Sequence, residues 1–481
     1  MADQIRANGF PTKGFFINML TRDIDINDAI LDLLDNCLDG VVRIQQKKGI
    51  SKKTKDYYSG YEAKIHISSD SFSIEDNCGG IPLEIAQKYA FRMGRDENSP
   101  AENSATVGIY GIGMKRAIFK IGKSAIIHSM TSTENFRVEI PKEWESRIDD
   151  WNFSIALLEK TDNGRTGTVV KITDLNDSIK QRWGEDGHRE SFVSELIEHI
   201  KESYSLIIER GFSVYVNGIQ IEPNEVSFIF SKEERGIKPF VYTRQIGSVN
   251  VRLAVGFYAA PPSIEESDRM AEKGGQRTSK DAGWTVICND RVVLYNNKDH
   301  LTGWGEGTVP KYHTQFIGIR GIVEFESSNP VDLPMTTTKR GVDLSSPIYS
   351  EVKKKMCEGL KLFTNFTNNW KGTANADTKF FISPIKVKLD ELVGTEKDNT
   401  QIASDIKFSR TKDGGKQFKP NLPKKKNSSD TVYVRFAVNH HECQQVARFL
   451  FDDEQEHIPS DVGQACYERV KKEARIADEE I

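Results

Sequence analysis

The sequence predicts an α+β chain in two main folded units, followed by a polar tether and a small terminal unit. Three observations predict it. The chain has 481 residues, too many for one ordinary core. Helix-like and strand-like segments both run through residues 1–225, and a second, strand-rich region spans 226–370. Beyond residue 371 the long apolar patterns stop: 371–430 reads as a polar, basic linker and 431–481 as a small α/β or helical region.

The elements follow in order. Residues 24–48 read as a helix, because Ala29, Ile30, Leu33, Leu34, Cys37, Leu38 and Val41 recur at helical spacing. Asp32, Asp35, Asn36 and Asp39 share the opposite edge of that helix. Strands are expected near 63–68 and 71–75, then a turn at Asp76-Asn77-Cys78-Gly79-Gly80-Ile81-Pro82. A helix at 83–92 precedes a polar loop, 94–107, and a glycine-rich stretch leads into a helix at about 113–121. Strands near 124–130, 135–140, 153–158 and 167–174 and a helix at 189–209 complete the unit. The Asn217-Gly218 pair marks a hairpin. In the second unit, strands are expected at 250–258, 284–288 and 315–325, then a helix at 346–370. The last region reads as a strand at 431–438 and helices near 441–451 and 459–473.

Composition narrows the function. Hydrophobic residues at 37% and charged residues at 28% indicate a polar-surfaced globular protein. A net charge of −4 excludes a uniformly basic nucleic-acid binder, so any such contact uses local patches. No apolar run reaches the length of a membrane helix, and residues 1–6 lack the apolar core of a signal peptide. Six scattered cysteines without a C-x-x-C pair point to a reducing compartment, so a cytoplasmic location is expected, with no membrane partner.

Three segments carry chemistry. In the first helix, Asp32 stands four residues before Asn36, one turn apart. That spacing offers a water-orienting carboxylate beside an oxygen ligand for magnesium. Taken alone, the same residues also suit a solvated helix face. In the second segment, the Asp76 carboxylate at a strand end can accept from a base amino group, and neighbouring glycines admit a flat ring. Taken alone, it is also an ordinary turn. The third is Gly108-x-x-Gly111-x-Gly113-x-Lys115 opening a helix, where amides and a lysine form a phosphate cradle. It lacks the Gly-Lys-Ser/Thr of a Walker loop.

In this order and spacing the segments resemble the GHKL ATPase superfamily (gyrase, Hsp90, histidine kinase, MutL), and most closely its MORC type. The resemblance covers roughly residues 15–175 and implies a Bergerat-fold α/β sandwich that binds ATP and Mg2+. It implies that Asp32 is the general base, that Asn36 holds the metal and that Asp76 binds the adenine amino group. Gly80 and Ile81 line the base pocket, and Thr168 lies near the adenine. Gly108, Gly111, Gly113 and Lys115 hold the phosphates, and residues 94–110 form a lid. Two departures stand out. Asp for the family's usual Glu at position 32 shortens the base by one methylene, which implies slow turnover. Cys78 replaces the first glycine of the family's Asp-Asn-Gly-x-Gly box.

Cys288–Val293 and the loop Leu333–Gly341 look like a ribosomal-S5-like transducer domain, whose loop lysine reaches the γ-phosphate. Lys339 is the candidate and would stabilise charge on the transferred phosphoryl group. The resemblance implies an ATP-dependent homodimer acting as a gate or clamp, with duplex DNA as the expected partner and a role in genome defence or silencing. The alternatives are an Hsp90-like remodeller of proteins and an ATP-sensing subunit of a partner enzyme. His440, His441, Cys443, His457 and Cys466 match no standard zinc spacing. Lys424-Lys425-Lys426, in a stretch (407–426) with eight Lys/Arg against one Asp, suits either a solvated tether or phosphate contacts.

Overall fold

The computed structural model describes residues 12–92, 111–147, 150–160, 164–224, 226–231, 236–261, 279–336, 338–370, 381 and 384–393. The whole of the expected lid, 94–110, with Gly108 in it, and everything after 393, including the histidine–cysteine group and the basic run, lie outside the described residues.

The first unit is built on an eight-stranded sheet of order β5-β4-β3-β6-β2-β1-β7-β8. Its strands are β1 Glu62–Ile67, β2 Phe72–Asp76, β3 Gly122–Met130, β4 Asn135–Ile140, β5 Ser154–Leu157, β6 Gly167–Leu175, β7 Ser213–Val216 and β8 Ile219–Gln220. Among the described strands of this sheet, β1 and β7 alone pair in parallel. Burial alternates along β1, β3 and β4, so one face packs inward and the other meets solvent. The buried face is covered by helices α1 (Lys13–Thr21), α2 (Ile26–Lys47), α4 (Gly113–Ile121), α5 (Asp177–Gly184) and α6 (Asp186–Glu209), which share one core with it. The expected apolar stripe of α2, from Ala29 to Val41, is buried in that core. The Asp25 carboxylate caps α2 by accepting from the Asn27 amide at 2.8 Å. Asn217 and Gly218 both take left-handed φ, as a tight hairpin requires.

The second unit is a five-stranded sheet of order β10-β11-β14-β12-β13. Its strands are β10 Phe240–Ile246, β11 Val249–Phe257, β12 Gly283–Cys288, β13 Arg291–Asn297 and β14 Ile319–Glu326. Every residue of β12 is buried, because both faces of this sheet are covered. Helix α7 (Pro347–Trp370) packs on one face through Tyr349, Val352, Met356, Leu360 and Phe363. The other face packs against Phe228, Val387, Leu389 and Leu392, with Leu206 of α6 alongside. Helix α6 therefore lies between the two sheets and joins the units.

Several elements depart from expectation. Helices α1 and α5 and strands β10 and β13 lie outside the segments that the sequence marks as helix or strand. The helix expected over 83–92 is a short α-turn, α3 (Leu83–Ile85), running into a π-helical turn at Ala86–Ala90. The start of the strand expected at 315–325 is a 3-10 turn, Thr314–Phe316. Within the span expected as a linker, β15 (Ile385–Val387) pairs with β9 (Phe228–Phe230), and α8 (Leu389–Val393) follows it. Buried Val387, Leu389 and Leu392 explain why this short piece is held. The acidic edge of α2 is not a solvated face: Asp32, Asp35 and Asp39 are all buried.

Candidate functional site

Two sub-sites flank the polar edge of α2. The first lies where β2 ends. One carboxylate oxygen of Asp76 accepts from the Cys78 amide at 2.7 Å and the Thr168 amide at 3.3 Å. The Cys37 thiol of α2 donates to the Leu33 carbonyl at 3.4 Å, and its nearness also helps to hold the Asp76 carboxyl down. Burial pushes the Asp76 carboxyl up, and these hydrogen bonds oppose that only in part. The Ile81 amide donates to Ser129 Oγ at 2.7 Å, and that hydroxyl donates back to the Ile81 carbonyl at 3.0 Å. Asp76, Gly80, Ile81 and Thr168 are thus drawn together from β2, its turn and β6, with Ser129 of β3 as a partner the sequence did not single out.

The backbone here tolerates no side chain at two points. Gly80 has φ +74°, and a Cβ there would lie 2.4 Å from the Met130 carbonyl oxygen. A Cβ on Gly167 would lie 1.9 Å from the Asp76 carbonyl oxygen, so Thr168 can sit beside that strand only with glycine before it. The substitution at Cys78 costs the turn nothing, because Gly79 and Gly80 take the positive φ values and Cys78 does not. Burial pushes the Cys78 thiol well above its ordinary value, consistent with a packing role.

The second sub-site joins the two units. Asp32 is 4% exposed and Asp35 1%, while Asn36 is the one exposed residue between positions 29 and 42. The Asn36 carboxamide therefore opens to solvent from an otherwise buried helix, as an oxygen ligand for a hydrated cation must. Lys339 reaches this helix from the loop after β14. A bridge between Met335 and Val342 closes that loop, and Lys339 sits at its tip with φ +58°. Left-handed φ is uncommon for a lysine and persists where contacts over-determine it. Its ammonium lies 2.7 Å from Asp35 Oδ2 and 3.5 Å from Asp32 Oδ1. The neighbouring Arg340 pairs with Asp28 of α2 and lies 3.3 Å from His199 Nδ1 of α6.

Asp35 is the centre of this junction. The Tyr204 hydroxyl of α6 donates to its Oδ1 at 2.6 Å, and Arg291 Nε of β13 lies 3.3 Å away. The Arg291 guanidinium also covers the Tyr204 ring at 4.2 Å. Burial drives the Asp35 carboxyl up, but Lys339 and Arg291 outweigh it and hold it below its ordinary value. Burial likewise pulls the Lys339 ammonium down, and Asp35 and Asp32 more than reverse that.

The glycine-rich segment meets the same edge. Gly111 takes left-handed φ, and a Cβ on Gly113 would lie 3.2 Å from Asp32 Cβ, so α4 opens directly against the candidate base. Lys115, one turn into that approach, is buried. Its ammonium donates to the Ala90 carbonyl at 2.9 Å and to the Gly111 carbonyl. Burial pulls its pKa down to about 8. Arg116 instead turns to Asp32, with Nε 3.0 Å from Oδ2 and a second guanidinium nitrogen on the same oxygen. Sequence reasoning missed Arg116, Asp35, Tyr204 and Arg291. The signal for Arg116 was its place three residues after Gly113 on one helix face. Asp35 stood on the acidic edge of α2 and Arg291 in the Cys288–Val293 segment without a role of their own, and Tyr204 carried no signal. Among the described residues there is no cluster of three metal-capable side chains. None of the described helices is long and apolar enough to cross a membrane.

No curated protein matches the chain. Residues 24–168, from the turn before α2 to Thr168, match the family described as Histidine kinase-, DNA gyrase B-, and HSP90-like ATPase. That match, together with the Asp76 and Asp32 sub-sites it encloses, supports the GHKL superfamily for this segment, and with it ATP binding.

Proposed function

We propose that the chain is a slow ATPase whose N-terminal units pair when ATP binds, forming a gate or clamp of the MORC type on duplex DNA, with a role in genome defence or silencing. The second unit acts as an S5-like transducer. The observation that carries the reading is the 3.5 Å separation of Lys339 Nζ and Asp32 Oδ1 across 307 residues. A lysine of a second domain placed beside a candidate base can sense or neutralise a phosphate held there.

The residues present fit the nucleotide and its metal. Asp76 retains acceptor capacity toward an exocyclic amine, and Gly80, Ile81 and Thr168 edge the same recess. The Asn36 oxygen is free to join the shell of a magnesium ion, which when bound neutralises phosphate charge. Asp32 orients and deprotonates the attacking water, and Lys339 stabilises negative charge on the transferred group. Gly108, Gly111, Gly113 and Lys115 cradle the phosphates. Lys115 reaches them only by leaving the Ala90 and Gly111 carbonyls, so nucleotide entry is coupled to rearrangement around residue 111. Closure of residues 94–110 and release after hydrolysis would form the switch.

The test is retention of the full chain on circular and linear plasmid after a high-salt wash, with a non-hydrolysable ATP analogue and Lys115→Ala as control. High salt strips simple phosphate contacts. Analogue-dependent retention on circles alone is expected for a clamp. Retention on neither form overturns the DNA clamp and favours a protein client or a partner enzyme, with ATP binding measured separately.

A further inference from the structure

We propose that Arg116 is a positioning residue for hydrolysis: it anchors one oxygen of Asp32 and leaves the other as the working oxygen. This rests on the reading of Asp32 as the water-orienting base. Both guanidinium contacts fall on Oδ2, from Nε at 3.0 Å and from a terminal nitrogen. Oδ1 is free of Arg116 and faces Lys339 at 3.5 Å. The two oxygens are therefore inequivalent. Two donors converging on Oδ2 pin that oxygen and so restrict rotation of the carboxylate about Cβ–Cγ more tightly than one donor would.

The helix geometry explains how Arg116 gets there. Gly113 lets α4 approach so closely that a Cβ there would lie 3.2 Å from Asp32 Cβ. Arg116 follows at i+3 and so faces the same side. Asp32 is short by one methylene for a base that is usually Glu, and a short arm has few positions from which it reaches a water. An anchoring cation that sets its angle offsets that handicap. Arg116 and Asp32 side chains are 12% and 5% exposed, so solvent does little to weaken the pair. A positioned base misplaced by about 1 Å loses roughly 10²-fold in rate, which sets the scale of the effect.

The experiment measures steady-state ATP hydrolysis and, separately, ATP binding on the full chain. The variants are Arg116→Met, Arg116→Lys, Asp32→Asn, Asp32→Glu and the double variant Asp32→Glu/Arg116→Met. Arg116→Met is expected to lower kcat about 10- to 100-fold with KM changed less than about 3-fold. Arg116→Lys, which keeps charge but loses the fork, should recover part of the rate. In the Asp32→Glu background, whose carboxylate arm is longer, removing Arg116 should cost less than it does in the native chain. Hydrolysis that requires Asp32 but is unchanged or faster in Arg116→Met overturns the inference alone. Equal costs of Arg116→Met in the native and Asp32→Glu backgrounds also overturn it, since they indicate a purely structural contact. Hydrolysis as fast in Asp32→Asn as in the native chain removes the reading of the base and the inference with it. If Arg116→Met does not fold, Arg116→Lys carries the same comparison.

Discussion

Replacing Asp35 with Asn tests whether the junction between the two units is a buried ionic centre. The amide keeps the shape and the bond from Tyr204 but removes the charge. Lys339 and Arg291, buried at 6% and 2% exposure, then lose their shared counter-charge. Breaking a buried pair typically costs about 3–5 kcal/mol, because a charge is left uncompensated. Two features lower this. The Tyr204 bond, about 1 kcal/mol, survives, and Lys339 can turn toward Asp32 from 3.5 Å. We expect a loss of about 2–4 kcal/mol at pH 7. Urea unfolding followed by tryptophan fluorescence reads it, since Trp144 and Trp183 report on the first unit and Trp284 and Trp304 on the second.

The pH dependence gives a second check on the same variant. The folded Asp35 carboxyl is held below its ordinary value. Its contribution is therefore present above the unfolded carboxyl value near pH 4 and is lost as pH falls through the folded value. Lys339 is raised, so its contribution is complete below its unfolded value near pH 10 and is lost as pH rises through the folded one. The difference between native and variant proteins should stay flat from about pH 5 to 9 and shrink at both ends. A loss under about 1 kcal/mol, typical of a solvent-exposed pair, would refute the buried centre.

Four further outcomes are expected. Tyr204→Phe removes the one hydroxyl proton shared between Asp35 Oδ1 and the Leu31 carbonyl and should cost about 1–3 kcal/mol by urea titration. Gly80→Ala, with φ +74° and a Cβ driven against the Met130 carbonyl, should abolish ATP binding measured by calorimetry, while α2 and the second unit stay folded. Lys115 is lowered to about 8 from 10.5, so folding stability should rise between those pH values as the unfolded chain holds the extra proton; Lys115→Met should remove that rise. Burial raises Glu324 to about 7 despite Arg252 beside it, so stability should fall as pH rises from about 4.5 to 7, and Glu324→Gln should flatten that limb in thermal melts.

Much of the candidate site is legible in the sequence because its parts are local. The Asp76 turn needs residues within five positions, and the left-handed Gly79 and Gly80 announce it. The apolar stripe of α2 is fixed by 3.6-residue periodicity, and all seven residues of the stripe are buried. Boundaries were less legible where a short segment has weak periodicity, as at the π-helical turn 86–90 and the paired fragment 385–393. The fragment's anchors, Val387, Leu389 and Leu392, are apolar residues too few to announce a fold without the sheet they meet.

By itself, the sequence determined which residues could do chemistry. It put Asp32 and Asn36 one turn apart, opened a helix with Gly111 and Gly113, and set Asp76 at a strand end, all through short-range spacing. Only the tertiary structure decided what those residues face. Taken alone, the polar edge of α2 also suits a solvated face. It is buried because α4, α6, β13 and the Lys339 loop close over it, supplying Arg116, Tyr204, Arg291 and Lys339 from 84 to 304 positions away. Periodicity reports whether a side chain lies on an apolar or a polar stripe. It carries no information on whether distant cations will arrive to offset the burial of a carboxylate, and that long-range pairing sets the charge, orientation and access of the site.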